Sequence, residues 1–116
     1  MINAEYLDAY TNRGAAYGRL KMYREARNDY DLVLKAEPKN DLIYYNRGLD
    51  YYDAGEYQKA IDDFTSAIKI DPDFGNAFLN RGIANYLLGI DGCSDLIEAK
   101  YLGAFVHPKA IEGICN

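Results

Sequence analysis

The sequence predicts an all-α fold of three stacked helical hairpins that ends in a short closing helix. The tripeptide Asn-Arg-Gly begins at residues 12, 46 and 80, so it recurs every 34 residues. That period is the length of one helix-turn-helix hairpin, which cannot bury its apolar face alone and therefore stacks on copies of itself. Apolar residues follow helical spacing, as at 60, 61, 64, 67 and 68. Pro38 and Pro72 cannot continue a helix and mark the ends of the first two copies.

The repeat extends well beyond the tripeptide. At the 34-residue offset, further identities join the first and second copies: Tyr10 with Tyr44, Tyr17 with Tyr51, Tyr23 with Tyr57, Ala26 with Ala60, Asp29 with Asp63, Lys35 with Lys69, and Pro38 with Pro72. The third copy keeps Phe78, Tyr86 and Gly89 at positions equivalent to Tyr44, Tyr52 and Gly55. The copies therefore share one internal packing pattern.

This set of residues resembles the tetratricopeptide repeat family. The second copy carries the family's full pattern of small, aromatic and proline positions: Tyr44, Gly48, Tyr51, Ala60, Phe64, Ala67 and Pro72. The first copy carries the equivalent set: Tyr10, Gly14, Tyr17, Ala26, Tyr30, Val33 and Pro38. The third copy departs from it, because Asn85 stands where the family has tyrosine. The resemblance covers about residues 5–103 and implies a right-handed α-α superhelix that binds other proteins.

The expected organisation is a single domain over residues 1–116, with repeats at about 5–38, 39–72 and 73–103 and a capping helix at about 108–115. The predicted helices span 5–18, 23–36, 41–54, 57–70 and 76–88, followed by the second helix of the third hairpin and the capping helix. Asn40 and Asp41 are suitable N-cap residues for the third helix.

The third hairpin is expected to have a loop two residues shorter than its predecessors. This alignment places Asp95 at the position of Asp63 and Ala99 at the position of Ala67. Pro108 then suits the first turn of the capping helix, whose Ile111 and Ile114 should face inward. At the other end only residues 1–4 precede the first hairpin, so that edge is either polar enough to be tolerated or packs on a partner.

Composition narrows the function classes. The formal net charge of −5 and the pI near 4.7 argue against nucleic-acid binding. No apolar run approaches the roughly 20 residues that span a bilayer, and no secretory signal is visible, so we expect a cytoplasmic protein without membrane contact. Two cysteines, Cys93 and Cys115, do not make a disulfide scaffold, and both thiols are expected to be reduced. Charge is uneven, with a basic segment at 13–27 and an acidic one at 50–73. We expect these segments to be solvated surface, although either could attract a charged partner.

By resemblance to the family, the first helix of each copy lines a concave groove. The positions that point into it include Asp8, Thr11, Asn12, Ala15, Gly18 and Arg19 in the first copy, and Asp53 and Leu87 in the later ones. The residues predicted to bind a partner are Asn12, Leu42, Tyr45, Asn46, Leu49, Tyr52, Asn76, Leu79, Asn80, Ile83 and Tyr86. Amides can hydrogen-bond a peptide backbone and tyrosines supply contact area, so the groove suits an extended peptide or one helix of another protein. Two alternatives stay open: the asparagine row is inherited packing, or the chain's own termini or a second copy cover Leu79, Ile83 and Leu87.

Some repeats of this family clamp the C-terminal carboxylate of heat-shock chaperones with lysine, arginine and asparagine. At those positions this chain has Thr11, Ala15, Asn46, Asn76 and Asn80, of which only Asn46 fits. Without the cations most of the charge-assisted hydrogen bonding is lost, so we predict no such clamp.

The three arginines of the repeated tripeptide, Arg13, Arg47 and Arg81, are expected to pair with Asp29, Asp63 and Asp95 on the second helices. The pairs would form within one hairpin or between successive hairpins. The alternative is that the arginines are solvated.

Catalytic and metal-binding residues are not indicated. His107 is the single histidine, and with Cys93 and Cys115 it falls short of a four-ligand zinc site. The segment 71–75 superficially resembles a calcium loop, but Gly82 stands where that loop needs a glutamate, and the segment fits a hairpin boundary better. We therefore expect no cofactor and no enzyme activity. The chain is predicted to be a protein-binding adaptor or, alternatively, a module that self-assembles into a homo-oligomer.

Overall fold

The computed structural model describes residues 3–116, which form seven α-helices in the predicted order. Their bounds are α1 Ala4–Arg19, α2 Tyr23–Ala36, α3 Asp41–Asp53, α4 Tyr57–Ile70, α5 Gly75–Leu87, α6 Cys93–Tyr101 and α7 Pro108–Cys115. The helices pack as the hairpins α1–α2, α3–α4 and α5–α6, with α2 against α3, α4 against α5, and α7 against α6. The molecule measures 49 × 26 × 19 Å, as expected for hairpins stacked along one axis.

The glycine of each Asn-Arg-Gly tripeptide lets the two helices of its hairpin approach closely. A Cβ atom built on Gly48 would lie 2.7 Å from Cε1 of Phe64, and one on Gly14 would lie 2.7 Å from Cε1 of Tyr30. In the third hairpin Leu96 takes the place of the ring, 2.5 Å from a Cβ atom built on Gly82. Since no side chain fits there, each glycine is a packing requirement of its hairpin.

The turns inside the hairpins need left-handed backbone. Gly55 and Gly89 adopt φ values of 81° and 79°, which glycine reaches without steric cost. The equivalent residue of the first hairpin is Lys21, with φ of 60°. A residue with a side chain is strained in the left-handed region, so the conformation of the first turn is less favourable than that of the other two.

The last helix closes the apolar end of the stack. Ile111 and Ile114 of α7 pack against a buried cluster of Leu96, Ala99 and Val106. Pro108 lies in the first turn of α7, and the side chain of His107 caps that helix by accepting a hydrogen bond from the backbone N–H of Lys109 at 3.0 Å. The inward orientation predicted for the two isoleucines is confirmed.

The expectation that both cysteines remain reduced thiols is wrong for this structure. Cys93 and Cys115 form a disulfide, with their Cα atoms 4.8 Å apart. The cause is the path of the chain: α7 turns back along α6, so the last residue of α7 meets the first residue of α6. Free thiols therefore no longer support a cytoplasmic location. The question of the N-terminal edge rests partly on Met1 and Ile2, which lie outside the described residues.

Candidate functional site: the groove face and its pocket

The groove face is the surface of α1, α3 and α5 that carries the asparagine row Asn12, Asn46 and Asn80. Several predicted partner-binding side chains are exposed on it: Asn12, Leu42, Asn76 and Tyr86. Others are half-buried: Tyr45, Asn46, Leu49, Tyr52, Leu79, Asn80 and Ile83. Leu42 keeps 60% of its surface exposed and Tyr86 keeps 48%, so large side chains remain available for contact.

The asparagine row is not uniform. The Asn80 side-chain nitrogen donates to the Tyr45 hydroxyl and to the Asn76 carbonyl oxygen, each at 3.0 Å. The centroids of the Tyr45 and Phe74 rings are 4.7 Å apart, and burial raises the pKa of the Tyr45 hydroxyl. Asn80 and Tyr45 therefore join the second and third hairpins. Within the row, Asn12 is the exposed member and Asn46 is half-buried.

The apolar positions of the third copy are partly covered by the chain itself. Leu79 and Ile83 pack on the cluster of Leu96, Ala99 and Val106 that also supports α7. Leu87, in contrast, keeps 46% of its surface exposed. Leu79 and Ile83 are therefore engaged with their own hairpin, and coverage of this region by the chain's termini or by a second copy stays a prediction.

The three arginines pair with the predicted aspartates within their own hairpins. Each guanidinium donates two hydrogen bonds to one carboxylate, at 2.7–2.8 Å, in the pairs Arg13–Asp29, Arg47–Asp63 and Arg81–Asp95. Each also lies over the ring three residues earlier, with distances to the ring centroid of 5.4 Å for Tyr10, 5.6 Å for Tyr44 and 5.3 Å for Phe78. These bidentate hydrogen bonds hold the pKa of each arginine above its usual value.

The same arginines also connect successive hairpins. Arg47 donates to Asp31 of the preceding copy at 2.8 Å, and Arg81 reaches Thr65 at 3.3 Å, the equivalent position one copy later. These contacts between copies help to set the stacking of the hairpins.

A pocket of about 240 Å³ opens between α1 and α3 at the N-terminal part of the groove face. Its lining comprises Ala15, Gly18, Arg19, Tyr30, Asn46, Leu49, Asp50 and Asp53. Asp50 keeps only 7% of its surface exposed, and burial raises its pKa to about 6. The sequence analysis missed Asp50. The signal was a break in the repeat, because the equivalent residues are Ala16 and Ala84.

The repeats of this chain match a known protein family. Two family models, both described as tetratricopeptide repeat, match residues 7–40 and 42–74, which together make more than half of the chain. The chain belongs to the tetratricopeptide repeat family. No curated protein gave a significant match over the sequence.

Solved structures with the same repeats superpose closely. "First TPR of Spaghetti (RPAP3) bound to HSP90 peptide SRMEEVD" is 20% identical with a TM-score of 0.89, over 98% of this chain and 94% of that one. The Arabidopsis OM64 TPR domain is 28% identical with a TM-score of 0.80, over 85% and 84% of the two chains. Yeast Tom70 is 26% identical with a TM-score of 0.85, over 96% of this chain and 24% of its own. These likenesses confirm the right-handed superhelix of helical hairpins.

The remaining candidate residues lie apart from the groove face. His107 caps α7, and Asp71 accepts a hydrogen bond from the backbone N–H of Asp73 at 3.0 Å in the turn before α5. Over residues 3–116, no group of three or more potential metal ligands converges. Within the same range, none of the helices combines the length and apolar character needed to cross a bilayer.

Proposed function

We propose that this repeat domain is a non-enzymatic adaptor that binds a segment of a partner protein across its groove face. The observation that carries the proposal is the set of exposed groups left on the first helices after the hairpin cores are complete. Leu42 and Tyr86 supply apolar area, and Asn12 and Asn76 supply exposed amides. An amide both donates and accepts, so it can pair with the backbone of an extended peptide or with the polar face of a helix.

Two structural neighbours support this use of the fold. The RPAP3 repeat domain is described as bound to an HSP90 peptide, and another neighbour is the "TPR2B-domain:pHsp70-complex of yeast Sti1", 20% identical with a TM-score of 0.83. Both similarities support only the fold, so the ligand of this chain has to be inferred from its own side chains. The groups on the groove face differ from those of a carboxylate clamp, so we propose a different class of partner sequence. We propose that this adaptor acts without contact to nucleic acid or membrane, consistent with its net charge of −5.

The test is selection of binders from a displayed library of random 12-residue peptides, followed by NMR titration of a selected peptide into the ¹⁵N-labelled protein. We expect amide shifts on α1, α3 and α5, and at least tenfold weaker binding by the double variant Asn46→Ala/Tyr52→Ala. The matched control is Asn28→Ala/Tyr101→Ala, which removes one exposed amide on α2 and one exposed ring on α6. Shifts confined to the second helices, or equal affinity for the groove variant, would exclude this site.

Self-assembly through the groove or the N-terminal edge is the alternative function. Size-exclusion chromatography with light scattering separates the two, because the adaptor is expected to be a monomer at micromolar concentration. An oligomer that dissociates in the Asn46→Ala/Tyr52→Ala variant would favour self-assembly. Strong salt dependence of that oligomer would indicate that the basic and acidic segments take part.

A further inference from the structure

The pocket between α1 and α3 exists because two positions break the repeat. Where the second and third copies have Tyr52 and Tyr86, the first copy has Gly18. Where the first and third copies have alanine, the second has Asp50. A Cβ atom built on Gly18 would lie 2.6 Å from Oδ1 of Asp50, so the glycine is what allows the carboxylate to lie against α1 at the wall of the pocket.

The Asp50 carboxylate is buried without a polar partner. More than nine-tenths of the residue is inaccessible, and among residues 3–116 no hydrogen bond reaches its Oδ2 atom. Within that range no ion pair shorter than 4.0 Å includes Asp50. A buried charge without a partner is costly, and such a group is typically retained where something else can satisfy it.

Neither Arg27 nor Arg19 forms an ion pair with Asp50. Arg27 lies over the Tyr51 ring at 4.9 Å from its centroid, and its Nη1 atom is 3.7 Å from Glu56. Its positive charge lowers the pKa of Asp50, but burial and the nearby negative charge of Asp53 outweigh it. Arg19 lies in the pocket lining as an exposed side chain at the end of α1. Among residues 3–116 the Asp50 carboxylate thus lacks a direct cationic partner.

The other lining groups complete the environment of a long cationic side chain. Asn46 brings a side-chain carbonyl oxygen that can accept a hydrogen bond, and Asp53 adds a second carboxylate. Ala15 and Leu49 supply apolar contacts for a hydrocarbon stem.

We propose that this pocket receives the ammonium or guanidinium group of a lysine or arginine side chain carried by the segment bound on the groove face. The inference rests on the proposed function and specifies the chemistry of its partner. Asp50 accepts charge-assisted hydrogen bonds from the cation, which satisfy its orphaned oxygen. Asn46 positions the head group, and Leu49 contacts the methylene stem.

The direct test is an NMR titration of the ¹⁵N-labelled protein with Nα-acetyl-lysine amide and Nα-acetyl-arginine amide at pH 7.5. The neutral control ligand is Nα-acetyl-norleucine amide. We expect saturable shifts of the Gly18, Asn46 and Leu49 amides with the cationic probes only. These shifts should be lost in Asp50→Asn and retained in Asp62→Asn, an exposed aspartate on α4. Equal shifts with norleucine, no saturable shifts, or shifts that persist in Asp50→Asn would each overturn the inference.

A second variant tests the space beside the carboxylate. Gly18→Ala keeps every charge but places a methyl group 2.6 Å from Oδ1 of Asp50, so we expect at least tenfold weaker binding of the lysine probe. An unchanged dissociation constant in a folded Gly18→Ala protein would contradict the proposed position of the cation.

The random-peptide selection separates this inference from the proposed function. If the peptides selected on the wild-type protein share a lysine or arginine at one position, and those selected on Asp50→Asn do not, the result would support both the cation pocket and the adaptor function. Groove-binding peptides with no basic residue in common would overturn the cation pocket and leave the adaptor function standing. Saturable binding of the lysine probe without any selected peptide would contradict the adaptor function and leave a site for small cationic ligands.

Discussion

The buried carboxylate of Asp50 should make the stability of this domain fall as the pH rises. Burial raises the Asp50 pKa from 3.8 to about 6. A carboxyl group whose pKa is higher in the folded state stabilises the protein below pH 3.8, and this contribution is lost as the pH rises through 6. The difference of about 2.2 pKa units corresponds to about 3 kcal/mol of unfolding free energy.

The perturbation is Asp50→Asn, which keeps the shape of the side chain and removes its ionisation. Urea denaturation followed by circular dichroism between pH 4 and pH 8 gives the unfolding free energy of both proteins. We expect the wild type to lose about 2.5 kcal/mol relative to the variant between pH 4 and pH 8, because part of the total is already lost at pH 4. Because the other carboxylates titrate in both proteins, the difference isolates Asp50 and the groups coupled to it, mainly Asp53 and Arg27.

Two results would refute this reasoning. A difference between the proteins that does not change with pH would mean that Asp50 titrates alike in the folded and unfolded states. A wild type that gains stability relative to Asp50→Asn with rising pH would mean that the folded-state pKa of Asp50 lies below 3.8, as an ion pair with Arg27 would cause. The control Asp62→Asn, on the exposed face of α4, should show neither trend.

Three further predictions follow from the contacts. Arg47→Met should lower the unfolding free energy by about 3–5 kcal/mol, because it leaves Asp63, only 5% exposed, without its partner. Adding Asp63→Asn should restore part of this loss. If urea denaturation shows that the effects of the two substitutions simply add, the two residues do not interact. Cys115→Ser should lower the unfolding free energy by about 3 kcal/mol, because it removes a disulfide that links residues 22 positions apart and so restricts the unfolded chain. An unchanged melting curve would show that the disulfide does not stabilise the fold. A peptide ending in Glu-Glu-Val-Asp should not bind in isothermal titration at neutral pH, and micromolar affinity would show that a carboxylate clamp forms without its cations.

The order of the helices could be predicted because it depends on local signals repeated three times. Pro38 and Pro72 follow the ends of α2 and α4, and Gly55 and Gly89 form the turns after α3 and α5. Gly48, inside α3, is required by the ring of Phe64. The two-residue shift in register of the third hairpin was also predictable, but the expected shorter loop is wrong: residues 88–92 connect α5 and α6, where only residues 54–56 connect α3 and α4, because α6 begins later in its copy. The alignment that restored an aspartate at position 95 placed it opposite Arg81, where the structure has the ion pair.

The partner-binding groups were less predictable because one helical face can serve either packing or recognition. Asn80 and Tyr45 occupy groove positions of the family, yet they hydrogen-bond to each other. The disulfide was missed for a related reason: Cys93 and Cys115 are 22 residues apart, and only the return of α7 along α6 brings them together.

The sequence by itself determined the family, the three hairpins, the closing helix and the arginine–aspartate pairs, because each of these repeats every 34 residues or depends on neighbours within one hairpin. The tertiary structure decided what the groove face offers. Whether a side chain is exposed, paired or buried without a partner depends on the helix packed opposite it. Gly18 and Asp50 break the repeat in the sequence, but they form a pocket only because α1 and α3 bring them together.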